Sequence, residues 1–204
     1  MEAGPTAVVP VIFSCPGPKP YDIMAANHKE VTAMTFQELA RARYSVRSFK
    51  DEPIKDEEMN LILEAGRVAP TACNNQPQKI FVAKSEEARK KLASVCRCTF
   101  GAPVILVVCY DRNRDWKNKL QPGYESGETD AAIVCTHMML QAFELGIGSC
   151  WVGYFNANDV ASALGLPENL TVSALLPMGY PAENAAPLHL HTQFREFEDT
   201  IEEI

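Results

Sequence analysis

The order of apolar and polar residues predicts helices and strands in loose alternation after about residue 34. Met59, Ile62 and Gly66 fall on one helical stripe, which predicts a helix that Asp56 caps and Pro70 ends. The run "APVILVVCYD" is apolar throughout, as in a strand that is covered on both faces. The run "TDAAIVCTHMMLQAFELGIG" is apolar nearly all round and predicts a buried central helix.

Shorter patterns supply the remaining elements. Thr35 is a candidate N-cap for a short helix, Ser85 for the helix of "SEEARKKLA", and a further helix is capped near Asn158. "KIFVA" and "TVSALLPMGYP" predict strands, and "SCWVGYF" predicts a strand or a tight loop. Because no regular βαβ repeat is present, an α+β domain with a helix-covered sheet is favoured over a doubly wound fold.

The chain of 204 residues is long enough for one domain with a substantial core. Residues 1–33 include the Pro-rich stretch "CPGPKPYD" and predict an extended arm, either laid over a partner subunit or disordered. Residues 34–204 form the predicted domain, with a C-terminal tail from about residue 183. The net charge of −7 argues against general affinity for nucleic acid or anionic membranes.

The seven cysteines are scattered and contain no C-x-x-C pair, which indicates a reducing compartment. No run approaches the roughly 20 apolar residues of a membrane span, and the early run "AVVPVIFSC" is a poor secretory signal. We therefore expect a cytoplasmic protein. Cys96 and Cys98 in "CRC" leave a thiol or metal protein open as an alternative.

The stretch "RARYSVRSF" (residues 41–49) carries a basic cluster inside this acidic chain. An extended segment places alternate residues on one side, so Arg43, Ser45 and Arg47 can all face one anion. Two guanidiniums that flank a hydroxyl suit a phosphate group. A solvated loop with unrelated surface arginines is the alternative.

Two further segments interrupt apolar elements. "PTACNNQP" (residues 70–77) offers amides and a hydroxyl that can satisfy the edge of a heterocycle, although Asn and Pro are also common in plain turns. In "GIGSCWVGYF", a glycine beside Trp151 would let a flat ring approach the main chain. The alternative is a helix C-cap followed by a core strand, which accounts for Gly146 and Gly148 better than for Gly153.

Taken together, these segments closely resemble a known family. "ELARARYSVRSFKDEPIKDEEMNLILEAGRVAPTACNNQPQKIFVA" is similar to the N-terminal signature of the FMN-dependent nitroreductases, with R-x-S-x-R-x-F, a D-x-P turn and P-[ST]-x-x-N-x-Q-P. "APVILVV", "DAAIVCTHMMLQAFELGIGSCWVGYF" and "LPMGYPAE" follow in the family's order. The resemblance implies an α+β fold with a mixed or antiparallel sheet, in an intertwined homodimer that holds FMN at its subunit interface.

The resemblance also assigns roles to residues. Arg43 and Ser45 match positions that hold the flavin phosphate and ribityl chain, and Arg47 matches the cation near the N1/O2 edge of the ring. Thr71 and Asn74 match the loop that reaches FMN from the other subunit, and Gly153 matches the position that faces N5. The full set of predicted cofactor-binding residues is Arg43, Tyr44, Ser45, Arg47, Pro70, Thr71, Ala72, Asn74, Trp151, Gly153, Tyr154 and Arg195.

Two departures from the family pattern affect the predicted site. Gln78 stands where many members have Trp, which can alter the site wall or the packing beneath it. The tail residue that completes the phosphate site is also open among Arg195, His191 and His189; Arg195 is preferred because it is always charged.

The implied activity is reduction of FMN by NAD(P)H, followed by reduction of a nitroaromatic, quinone or similar flat acceptor on the same face in a ping-pong mechanism. No general acid or base is predicted, because the cofactor carries the chemistry. A specialised flavoenzyme on the same fold (dehalogenase, heterocycle dehydrogenase or flavin-fragmenting enzyme) stays open, as does a flavin-binding protein with little turnover.

Overall fold

The computed structural model describes residues 34–204. Within this range five α-helices and four strands follow one another in the order that the hydrophobic pattern predicts. Their bounds are α1 Phe36–Ala42, α2 Asp56–Arg67, β1 Gln78–Ala83, α3 Glu86–Val95, β2 Val104–Asp111, α4 Gly127–Glu144, β3 Gly148–Ser149, α5 Ala157–Leu164 and β4 Leu170–Gly179. The predicted arm, residues 1–33, lies outside the described residues.

The four strands form one antiparallel sheet in the order β1-β2-β4-β3. Beyond β3, Val152 makes a further bridge to Leu175 of β4, so "SCWVGYF" continues along the sheet edge after the short strand ends. Ser45 bridges Ser149 in the parallel sense, which attaches the segment after α1 to the same edge. The α+β prediction is confirmed.

Strand β2 is the centre of the core, and its alternating side chains belong to two separate hydrophobic clusters. Val104, Leu106 and Val108 join a cluster with residues of α2 and α4, while Ile105, Val107 and Cys109 join one with residues of α3 and α5. Because side chains of a strand point alternately to opposite faces, a run without polar residues requires cover on both. The helices provide that cover in two layers.

The predicted N-caps Thr35 and Ser85 are confirmed by their hydrogen bonds. Thr35 Oγ1 accepts from the Glu38 backbone N–H at 3.3 Å, while Glu38 Oε2 accepts from the Thr35 N–H at 2.7 Å, forming a capping box. Ser85 Oγ accepts from the Ala88 N–H at 3.2 Å.

Two other helix starts differ by one or two residues from the prediction. Asp56 is the first helical residue of α2, and Lys55 occupies the extended N-cap position. Asn156, rather than Asn158, caps α5: its Oδ1 accepts from the Asn158 N–H at 2.9 Å. The cap must have extended backbone angles, and the chain path before each helix decides which residue has them.

The described part of the chain contains no helix that is both long and apolar enough to cross a membrane. The six cysteines between residues 73 and 150 are free thiols. Among residues 34–204 no group of three or more His, Cys, Asp or Glu side chains is arranged to hold a metal ion.

Candidate functional site

The segment after α1 is extended, and it lines a cavity beside the sheet edge. Val46 is buried in the core and donates its N–H to the Ser149 carbonyl oxygen at 3.0 Å. Arg43, Ser45 and Arg47 are therefore turned away from the core, as their alternation predicts. They line a cavity of about 300 Å³ together with Tyr44, Leu188, Leu190 and His191.

Positive charge in this cavity is uncompensated by the described residues. Between residues 34 and 204, no carboxylate lies within 4.0 Å of the guanidinium of Arg43 or Arg47. Arg47 Nη1 donates to the Ser45 carbonyl oxygen at 3.0 Å, which holds its side chain back along its own segment. Two guanidiniums without carboxylate partners beside a hydroxyl suit an anion, as the sequence pattern predicts.

The C-terminal tail forms one wall of the cavity. The ring of His191 meets that of Tyr44 edge to face, with centroids 6.2 Å apart, and the Tyr44 hydroxyl donates to the Ala185 carbonyl oxygen at 3.5 Å. Arg195, the tail cation preferred from the sequence, lies outside this lining and donates to the Asp199 carbonyl oxygen at 3.0 Å. His191 is the tail cation candidate that this geometry brings to the cavity.

Glycine allows the sheet edge to approach the basic segment closely. A Cβ on Gly148 would stand 2.6 Å from Cγ2 of Val46, so no other residue fits there without displacing the segment. Two residues on, the Cys150 thiol lies against the same segment. Burial raises the pKa of this thiol, while Arg47 and the Ser45 hydroxyl act in the opposite direction.

The stretch after Cys150 leaves Gly153 open to solvent. Trp151 packs on the core, Val152 is buried, and Tyr154 is 84% exposed. No heavy atom would lie within 4 Å of a Cβ added to Gly153, and its φ lies outside the left-handed range. Neither packing nor backbone conformation within the described chain explains a glycine at this position.

The loop of residues 70–77 lies apart from the cavity. Pro70, Thr71, Ala72 and Asn74 are absent from its lining, and Asn74 is exposed in a 3₁₀ turn with φ of 53°. The structure thus brings Arg43, Tyr44, Ser45 and Arg47 together, and it leaves the loop residues elsewhere on the same chain.

Two polar side chains near this loop have buried oxygen atoms, and only one of them, Gln78, stood out in the sequence. Asp130, inside the apolar helix α4, is 2% exposed and accepts a hydrogen bond from the Ala72 backbone N–H at 2.8 Å. The sequence could have indicated Asp130, because a carboxylate is unexpected in an otherwise apolar, buried helix. Gln78, at the start of β1, has a buried Oε1 without a partner among the described residues.

A larger groove, of about 680 Å³, lies elsewhere on the chain. It is lined by polar residues that include Arg112, Lys117 and Glu168, and it contains none of the predicted site residues. Its volume alone does not make it the better candidate, because its Lys117 is already paired with the carboxylates of Asp115 and Glu125.

The sequence matches a known protein family and its members. The model of the nitroreductase family matches residues 40–100 and 96–180. A protein of Archaeoglobus fulgidus, named for NADH dehydrogenase or NAD(P)H nitroreductase activity, is 34% identical over 150 residues, which cover 69% of this chain and 82% of the relative.

Solved structures agree with the sequence match. A nitroreductase family protein from Clostridium difficile 630 superposes with a TM-score of 0.77 at 34% identity, covering 83% of this chain and 98% of that one. A structure from Desulfovibrio desulfuricans, described as a nitroreductase in complex with FMN, has a TM-score of 0.70 at 30% identity and covers 82% of this chain and 95% of that one.

Proposed function

This chain belongs to the nitroreductase family, and we propose that it is an NAD(P)H-dependent oxidoreductase that binds FMN and reduces flat acceptors such as nitroaromatics or quinones. The observation that carries the proposal is the cavity with two unpaired guanidiniums, Arg43 and Arg47, at the edge of the sheet. The FMN bound in the Desulfovibrio desulfuricans relative and the NAD(P)H in the name of the Archaeoglobus fulgidus relative support the choice of cofactor and reductant.

The residues present fit one end of FMN. Arg43, Ser45 and His191 offer charged and neutral donors to a phosphate, and Tyr44 supplies an aromatic wall between them. The volume of about 300 Å³ is at the lower limit for a small-molecule site. One chain therefore holds the phosphate end, and the flavin ring extends beyond the cavity.

Arg47 and Gly153 are assigned to the ring. Bound FMN supplies the chemistry, accepting a hydride from NAD(P)H at N5 and passing it to the acceptor. The guanidinium of Arg47 stabilises the negative charge that reduction places near N1 and O2. Gly153 has no side chain to block the ring from the main chain, and its N–H would face N5 of a bound flavin.

The rest of the site comes from a second copy of the chain in this proposal. Thr71 and Asn74 are exposed or half-buried on a loop that is absent from their own chain's cavity lining. Large apolar side chains on α1 and on the tail are exposed, notably Phe36, Phe194 and Phe197 at 67–74%. Such a surface is typical of a protein–protein interface. The proposed assembly is an intertwined homodimer in the cytoplasm, in which the loop of each chain lies against the flavin of its partner.

The proposal is tested first on the purified protein. We expect a yellow protein that releases FMN, and anaerobic NADH or NADPH should bleach its flavin absorbance. Double-reciprocal plots with a nitroaromatic acceptor should be parallel, because the reductant leaves before the acceptor binds. A colourless protein that does not take up FMN would overturn the proposal, and bound FMN that neither nicotinamide bleaches would instead indicate a flavin-binding protein without turnover.

The role of Arg47 is tested by comparison with Arg41, which is exposed in the last turn of α1. Replacing Arg47 with Ala should lower the two-electron reduction potential of bound FMN by about 30 mV or more, since ~1.4 kcal/mol is within the range of one hydrogen bond to a charged group. Arg41→Ala should leave the potential unchanged. Equal shifts in the two variants would contradict the assignment.

A further inference from the structure

The loop of residues 70–77 holds an unusual amount of backbone strain. Cys73, Asn74 and Gln76 all have left-handed backbone angles, with φ of 50°, 53° and 49°. This conformation disfavours a residue with a Cβ by roughly 1–2 kcal/mol, less for Asn. A strained segment persists only where its surroundings determine its shape.

Two hydrogen bonds hold the loop in this shape, one within the loop and one from α4. Thr71 Oγ1 accepts from the Gln76 N–H at 3.0 Å and closes the loop on itself. Asp130 Oδ1 accepts from the Ala72 N–H at 2.8 Å and ties the loop to the central helix. Since Asp130 is 2% exposed, water does not readily replace this bond.

The other oxygen of the same carboxylate serves a different segment. Asp130 Oδ2 accepts from the Ser126 hydroxyl at 2.7 Å, and Ser126 Oγ in turn accepts from the Trp116 N–H at 3.0 Å. Ser126 and Trp116 belong to the connection between β2 and α4, residues 112–126. Asp130 thus joins this connection to the loop of residues 70–77 through one planar group.

Ion pairs stabilise the connection between β2 and α4. Lys117 Nζ lies 2.8 Å from Asp115 Oδ1 and 2.7 Å from Glu125 Oε1, so it bridges the two ends of the turn. The Asp115 side chain is fully buried. These contacts link the start of the connection to Glu125, the residue before Ser126.

We propose that Asp130 is a positioning residue that couples the 112–126 connection to the 70–77 loop. Its two oxygens are fixed on one rigid carboxylate, so a shift of Ser126 rotates the group and moves the acceptor of the Ala72 N–H. The coupling concerns this chain alone. Its consequence for flavin rests on the proposed function, which sets the same loop against the FMN of the partner subunit.

The experiment measures hydrogen–deuterium exchange of the FMN-free protein. The variants are Ser126→Ala, Asp130→Ala and the double variant; Thr136→Ala is the control, because it removes an exposed hydroxyl that bonds only within α4. We expect Ser126→Ala to accelerate exchange in residues 112–126 and, by about threefold to tenfold, at the Ala72 amide, as loss of one hydrogen bond allows. In the Asp130→Ala background, adding Ser126→Ala should produce no further change at Ala72.

Two results would overturn the coupling. One is acceleration confined to residues 112–126 in Ser126→Ala; the other is an effect at Ala72 that persists undiminished without the Asp130 carboxylate. If Asp130→Ala fails to fold because of the cavity it leaves, Asp130→Leu replaces it, since it fills the volume and removes both acceptor oxygens. Adding Ser126→Ala should then produce no further change at Ala72.

FMN titration of the same variants separates this inference from the proposed function. We expect Ser126→Ala to weaken FMN binding severalfold although Ser126 is no predicted flavin ligand, while Thr136→Ala binds as the unmodified protein does. Faster exchange at Ala72 with unchanged FMN affinity supports the Asp130 coupling and counts against the placement of this loop on the partner's flavin.

Discussion

Replacing Gly153 with alanine adds one methyl group at a position where the protein itself leaves room for it. No heavy atom lies within 4 Å of the added Cβ, and the backbone is not in the left-handed range that favours glycine. A substitution of this kind reduces the entropy of the unfolded chain, which stabilises the fold by about 0.4–1 kcal/mol. Stability alone therefore gives no reason for a glycine at residue 153.

The proposed flavin-ring site gives a reason for a glycine at residue 153. A flat ring against the main chain makes contacts at about 3.5–4.0 Å between carbon atoms, and the methyl group would occupy that space. The ring must then retreat by about 1 Å or more, and a misplacement of that size can reduce a rate about 100-fold. This loss corresponds to ~2.7 kcal/mol of transition-state stabilisation.

Two measurements test the argument. Anaerobic stopped-flow absorbance follows the reduction of bound FMN by NADPH in Gly153→Ala, and urea unfolding of the FMN-free protein measures its stability. Gly148→Ala is the comparison variant, since its added Cβ would stand 2.6 Å from Val46 Cγ2. We expect Gly148→Ala to lose about 1–3 kcal/mol of stability through overpacking. Gly153→Ala should lose rate but no stability.

Reduction of FMN at the unmodified rate in Gly153→Ala would contradict the placement of the ring against this residue. Loss of stability and rate together in Gly153→Ala, as expected for Gly148→Ala, would also contradict it, because the glycine would then serve the fold.

Two further predictions concern the tail and the contact between α2 and the end of the sheet. His191→Ala should weaken FMN binding about tenfold in a calorimetric titration and Arg195→Ala should have little effect, because only His191 lines the cavity; equal losses would contradict this. The Tyr180 hydroxyl donates to Glu58, which lowers the pKa of that carboxyl below its usual value and raises the pKa of Tyr180 above its usual value. The stability from this bond is therefore present between the two ordinary values; it is lost as pH falls through the folded pKa of Glu58 or rises through that of Tyr180. Urea unfolding should show Tyr180→Phe less stable at neutral pH, with a deficit that shrinks as the pH falls through the lowered pKa of Glu58; a deficit that does not change with pH would tell against the bond.

Much of the fold and part of the site could be predicted from the sequence, because these features depend on local order along the chain. The apolar run of β2 required cover on both faces, and two helical layers provide it. The alternation of Arg43, Ser45 and Arg47 required only an extended backbone to turn all three to one side, and they line one cavity. Neither inference needed knowledge of which elements are neighbours.

Features that depend on contacts between distant segments follow from the packing of the folded chain. The path of the tail brings His191 to the cavity and leaves Arg195 bonded within the tail, although the guanidinium was the better cation on chemical grounds. Asp130 becomes a junction because the packing of α4 places its two oxygens between residues 72 and 126. Sequence spacing fixes the side to which a residue turns, but the partner that it meets there is set by chain packing over long separations.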